Sequence, residues 1–111
     1  MPKHSFEAFN VALALIRSLR PVLAKLRSRD KKLAQQIEDA ANSVGLNLCQ
    51  GRRRVGRDRL HLWRRLAGGS ADEVRGGLYL AEAWGHICAE EVLPSLALND
   101  HLLALTWNLT H

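Results

Sequence analysis

Gln35-Gln36-Ile37-Glu38-Asp39-Ala40-Ala41-Asn42-Ser43-Val44 runs through Gln50-Gly51-Arg52-Arg53-Arg54-Val55-Gly56 into Leu60-His61-Leu62-Trp63-Arg64-Arg65-Leu66-Ala67-Gly68-Gly69-Ser70-Ala71-Asp72-Glu73-Val74-Arg75. Apolar positions flank the central turn at steps of three and four. Leu33, Ile37, Ala40, Ala41, Val44 and Leu48 form one series. Leu60, Trp63, Ala67, Ser70, Val74, Gly77, Leu78 and Ala81 form the other. Each series draws one buried stripe along a helix. Gly51 is expected to stop the first of these helices by adopting positive φ. The stretch therefore reads as a long helical hairpin with an arginine cluster at its bend.

Working outward, the segment before the hairpin carries Phe9, Ala12, Leu13, Ile16, Leu19, Val22, Leu23 and Leu26 on a broad apolar face. Ser5 is the expected N-cap, with Glu7 in the first turn. Pro21 predicts a kinked single helix, with two shorter helices as the alternative. Asp30 is placed to cap the next helix. After the hairpin, Gly85 is the expected C′ glycine. Leu93, Leu96, Leu102, Leu103, Leu105 and Leu109 then make a wide apolar surface. Glu90 and Glu91 favour the positive N-terminal end of that last helix, and Pro94 falls in its first two turns. The reading is all-α, with helices over 5–27, 31–50, 57–84 and 88–109 in a single domain at 1–111. Short connections give an antiparallel up-down-up-down four-helix bundle. Gly68, Gly69, Gly76 and Gly77 lie inside the third helix, where each costs up to about 1 kcal/mol against alanine. Close helix approach is the expected return, and a break at Gly68-Gly69 is the competing reading.

Three pieces carry a resemblance. They are Gln36-x-x-x-Ala40-Ala41-x-Ser43-Val44, Asn47-x-x-Gln50-Gly51 and Leu66-Ala67-x-Gly69-Ser70-Ala71-x-Glu73-Val74-Arg75. In this order they resemble the small bacterial "four helix bundle protein" family, first noticed as reading frames inside ribosomal RNA intervening sequences. The accessory bundle proteins of diversity-generating retroelements, which work beside a reverse transcriptase, resemble this design more distantly. The family usually carries Glu before the glycine, where this chain has Gln50. The resemblance implies a four-helix fold and a ring-like homo-oligomer, often a pentamer. Surplus apolar residues in the second half, Tyr79, Trp84, Trp107 and the leucines of the last helix, agree with self-association.

The 111 residues carry a net charge of +5, which hides an asymmetry. Residues 1–65 hold fifteen Lys/Arg against five Asp/Glu, while residues 66–111 hold one arginine against six acids. Arg52, Arg53, Arg54, Arg57, Arg59, Arg64 and Arg65 fall within fourteen residues, opposed only by Asp58. Guanidinium groups grip phosphates through paired hydrogen bonds, so these seven are the candidate nucleic-acid-binding residues. They would hold RNA or DNA by its backbone without reading sequence. The opposing reading is a solvated helix end that pairs with the acidic fourth helix of a neighbour, as in a protein-interaction scaffold. Trp63 lies on the stripe and is read as core rather than as a base-stacking ring.

Other chemistry finds little footing. No catalytic residue, cofactor or metal site is expected, so the function is read as non-enzymatic. Gly68-Gly69-Ser70 lacks both a preceding strand and a following Gly-Lys-Ser/Thr. Glu82, His86 and Glu90 would share a face only if the helix ran through Gly85. His61, His101 and His111 have no partners at ligand spacing. Cys49 and Cys88 are read as free thiols in a reducing cytoplasm, Cys49 as a small packed hydrophobe. Asn42, Ser43 and Asn47 lie on or near the second stripe. They form either satisfied hydrogen bonds or a polar site between helices. No stretch is long and apolar enough to span a bilayer. The expected partners are further copies of the chain, nucleic acid, and a reverse transcriptase or other protein.

Overall fold

The structure, a computed structural model, describes residues 3–109, with side chains from Glu7 to Leu109. Four helices carry the chain and no strand occurs among the described residues. The first helix is Lys3–Arg27 and the second is Lys31–Arg52. The third spans 56–83 in three continuous pieces, α-helical Gly56–Leu60, π-helical His61–Ala67 and α-helical Gly68–Ala83. The fourth is Ala89–Leu109. Their buried faces meet in one apolar core, an arrangement compatible with a helical bundle. No helix among the described residues is long and apolar enough to cross a membrane.

The second helix follows its stripe closely. Leu33, Ile37, Ala40, Ala41, Val44 and Leu48 are all buried, joined by Ala34 and Gly51. Asp30 caps it as expected, accepting the Leu33 N–H at 3.0 Å. The first helix passes unbroken through Pro21 and begins at Lys3, which leaves Glu7 in its second turn. Ser5 therefore lies within the first turn and is not the N-cap expected of it; His111 lies outside the described residues.

Two expectations about glycine are overturned. Gly51 does not end the second helix. It lies within the helix, is buried, and has no positive φ. Its missing Cβ leaves the space occupied by the Trp63 indole. The reversal comes five residues later, at Gly56 with φ 57°, where a side chain would be strained. Within the third helix, close approach is realised at Gly77 alone, where a Cβ would stand 2.5 Å from Ile37 Cγ1. Gly69 and Gly76 face open space, and the helix does not break at Gly68-Gly69. It ends at Ala83, and Gly85 takes φ 77° as expected.

The π-helical turn is unannounced in the sequence. Its mark is the Gly68 N–H, which reaches back five residues to the Trp63 carbonyl. Beyond it Ala67, Ser70, Val74, Leu78 and Ala81 are buried as read, but Leu60 is 40% exposed. Arg59 lies beside Trp63 instead, with Cζ 5.0 Å from the ring centroid.

The fourth helix departs most from expectation. Its buried face is Val92, Ser95, Leu96, Asn99, Leu102, Leu105 and Thr106, while Leu93 is largely exposed. Each of the three polar members finds a partner, though the Oδ1 of Asn99 is buried without one. Ser95 Oγ lies 2.8 Å from Ser18 Oγ on the first helix. Asn99 Nδ2 donates to the Ala71 carbonyl at 2.8 Å, and the Thr106 hydroxyl to the Leu102 carbonyl at 2.8 Å. Leucines all round the helix concealed this inner face.

Candidate nucleic-acid interface

The basic bend is built on Trp63. Its indole seats on Gly51 and donates from Nε1 to the Leu48 carbonyl at 3.1 Å, which ties the start of the third helix to the end of the second. Trp63 is 2% exposed, in keeping with a core role. Arg59 completes the joint. Its Nε donates to the Gly51 carbonyl at 3.0 Å and its Nη2 to the Arg52 carbonyl at 3.1 Å. A helix leaves its last carbonyls without intrahelical donors and carries negative partial charge there, so a guanidinium satisfies both needs.

The seven arginines of the cluster thus divide. Arg59 fastens the bend and is half-buried between two helices. Arg52 is half-buried at the end of the second helix. Arg64 lies across to the fourth helix, with Cζ 5.4 Å from the Trp107 ring centroid. Arg53, Arg54, Arg57 and Arg65 are exposed, and among the described residues they form no ion pair. The described ion pairs lie elsewhere: Lys25 with Glu91, Arg27 with Glu38, Arg75 with Asp100, and His86 with Asp30 at 3.7 Å.

The pairs involving Lys25 and His86 tie the end of the first helix and Asp30 to the start of the fourth helix and the turn before it. There the Glu91 carboxylate takes Lys25 Nζ at 2.8 Å together with the Cys88 N–H at 3.1 Å and S–H at 3.0 Å. Lys25 first, then the Cys88 donors, pull the Glu91 pKa down to about 2. The same contact to Glu91 raises the Cys88 thiol above its ordinary value, which disfavours a nucleophilic thiolate. His86 stands beyond the helix end, away from the Glu82-to-Glu90 face it would need. No group of three or more His, Cys, Asp or Glu side chains among the described residues is placed to hold a metal. Cys49 is half-buried.

Asn42 is exposed, so the three polar residues of the second helix do not act as one group. Asn47 Nδ2 donates to the Ser43 carbonyl at 2.8 Å, and Ser70 Oγ to Ser43 Oγ at 2.9 Å, joining the second and third helices. Sequence reasoning missed the structural role of Arg59 and the meeting of Arg64 with Trp107. Both depend on contacts across the bend or between helices, and no local pattern carries them. The chain matches no family model, no curated protein and no solved structure.

Proposed function

We propose that this is a non-enzymatic, single-domain antiparallel four-helix bundle that binds the phosphate backbone of nucleic acid through its basic bend. Four exposed arginines, Arg53, Arg54, Arg57 and Arg65, without acidic partners among the described residues, carry the reading. The antiparallel order is supported by pairs that ascend one helix as they descend the next: Leu48 with Trp63, Ser43 with Ser70, and Ile37 with Gly77. Arg64 adds to the cationic surface, and Arg52 and Arg59 shape it. An adaptor role in the cytoplasm, beside a reverse transcriptase or another enzyme of nucleic acids, accords with the family resemblance.

A second reading, a protein-interaction scaffold, draws on a different observation. Tyr79, Leu80, Trp84 and Leu93 are exposed near the end opposite the bend, Trp84 by 72%. Such a surface suits contact between copies of the chain, and a cyclic homo-oligomer such as a pentamer would gather the bends on one rim. Fluorescence anisotropy with mixed-sequence RNA and DNA across a salt series separates the readings. Four phosphate contacts per chain correspond to a log–log slope of about −3 on single strands. Reversing Arg53, Arg54 and Arg57 to Glu should flatten that slope and weaken binding at low salt. Absence of binding by the unaltered protein at low salt would leave the scaffold.

A further inference from the structure

The groove beside Arg64 has the parts of a base-stacking site. It runs between the third and fourth helices, has a volume of about 370 Å³, and is lined among others by Arg64, Arg65, Gly68, Gly69, Asp72 and Trp107. That volume falls among ordinary ligand clefts, about 300–1,000 Å³. Gly68 and Gly69 bring no side chain to its wall, so the groove stays open along the helix backbone. Trp107 is 57% exposed even with Arg64 beside its ring. The other two described grooves, one between the first and second helices and one between the second and third, are lined by no aromatic residue. Arg64 and Arg65 belong to the basic cluster, so the groove continues the cationic surface.

We infer that this groove takes an unpaired nucleobase of a single-stranded nucleic acid, stacked on Trp107 while Arg64 and Arg65 hold the adjoining phosphates. The inference rests on the backbone-binding reading of the bend and adds a preference to it. Guanidinium groups alone grip duplex and single strand alike, since both present phosphates. An indole beside them discriminates, because only an unpaired base can leave its neighbours and lay its π-face on a ring. Asp72 repels phosphate from its part of the groove and can accept a hydrogen bond from a base amine.

The test compares Trp107→Ala and Trp107→Phe with the unaltered protein, using a labelled mixed-sequence 16-nucleotide strand alone and in its duplex, with solution mass measured for each protein. Trp107→Ala should bind the single strand about 10-fold more weakly, the loss of one base–aromatic stack. Its duplex binding and mass should be unchanged, and Trp107→Phe should restore most of the single-strand affinity. Equal loss on both nucleic acids, no loss on either, or a changed mass would overturn the stacking site and leave the bend as the sole contact. If the unaltered protein binds neither nucleic acid at low salt, the backbone reading fails and the stacking site falls with it.

Discussion

At the residue scale, Gly51 and Trp63 carry the greatest consequence. A methyl group at position 51 would enter the indole's space, so Gly51→Ala must displace Trp63 from its bond to Leu48. Overpacking together with an unsatisfied buried donor should cost about 2–4 kcal/mol. Thermal or denaturant unfolding checks this, and a neutral result would mean the ring relocates freely. Gly45→Ala and Gly76→Ala should behave oppositely. Nothing lies within 4 Å of a Cβ at either position, so each should stabilise by about 0.5–1 kcal/mol through helix propensity. The glycines are plain in the sequence, but their roles are not. Whether a missing Cβ marks a turn, a close approach or open space depends on what stands opposite.

At the scale of elements, the second helix was legible because its large apolar residues, Leu46 excepted, fall on one stripe with mostly polar residues opposite. The fourth was not, because leucine occupies several sides and Ser95, Asn99 and Thr106 hold inner positions through tertiary partners. The π-helical turn was hidden for a similar reason, since the wider winding accompanies the seating of Trp63 and Arg59 on the second helix. Arg59 is a cap on that helix supplied from the next one. Arg59→Ala should therefore lower stability by about 1.5–3 kcal/mol, the worth of a charge-assisted hydrogen bond, while Arg53→Ala and Arg54→Ala stay near zero. Equal effects at all three positions in denaturant unfolding would contradict the division of the cluster. Glu91 joins the start of the fourth helix to Lys25 of the first. Its pKa is lowered from the ordinary 4.5 to about 2, so its contribution is present above pH 4.5 and is lost as pH falls towards 2. The difference in melting temperature between the protein and Glu91→Gln should be full at pH 7 and vanish near pH 2. A difference independent of pH would remove the ion pair from the account.

For the whole molecule, extents of 42 × 21 × 18 Å describe a rod. The charge asymmetry between the two halves of the sequence was legible. What it does in space was not, since Arg52 and Arg59 are half-buried and Arg64, though exposed, lies against Trp107, which leaves Arg53, Arg54, Arg57 and Arg65. The central claim is that these four hold polyanions. Solution mass measured with and without mixed-sequence RNA, at low and high salt, tests it directly for the unaltered protein and for Arg53→Glu/Arg54→Glu/Arg57→Glu. The account predicts a heavier complex at low salt that dissolves at high salt for the unaltered protein. It predicts no complex for the variant, whose mass without RNA is the same. A complex of equal mass and salt resistance with both proteins, or with neither, would contradict it.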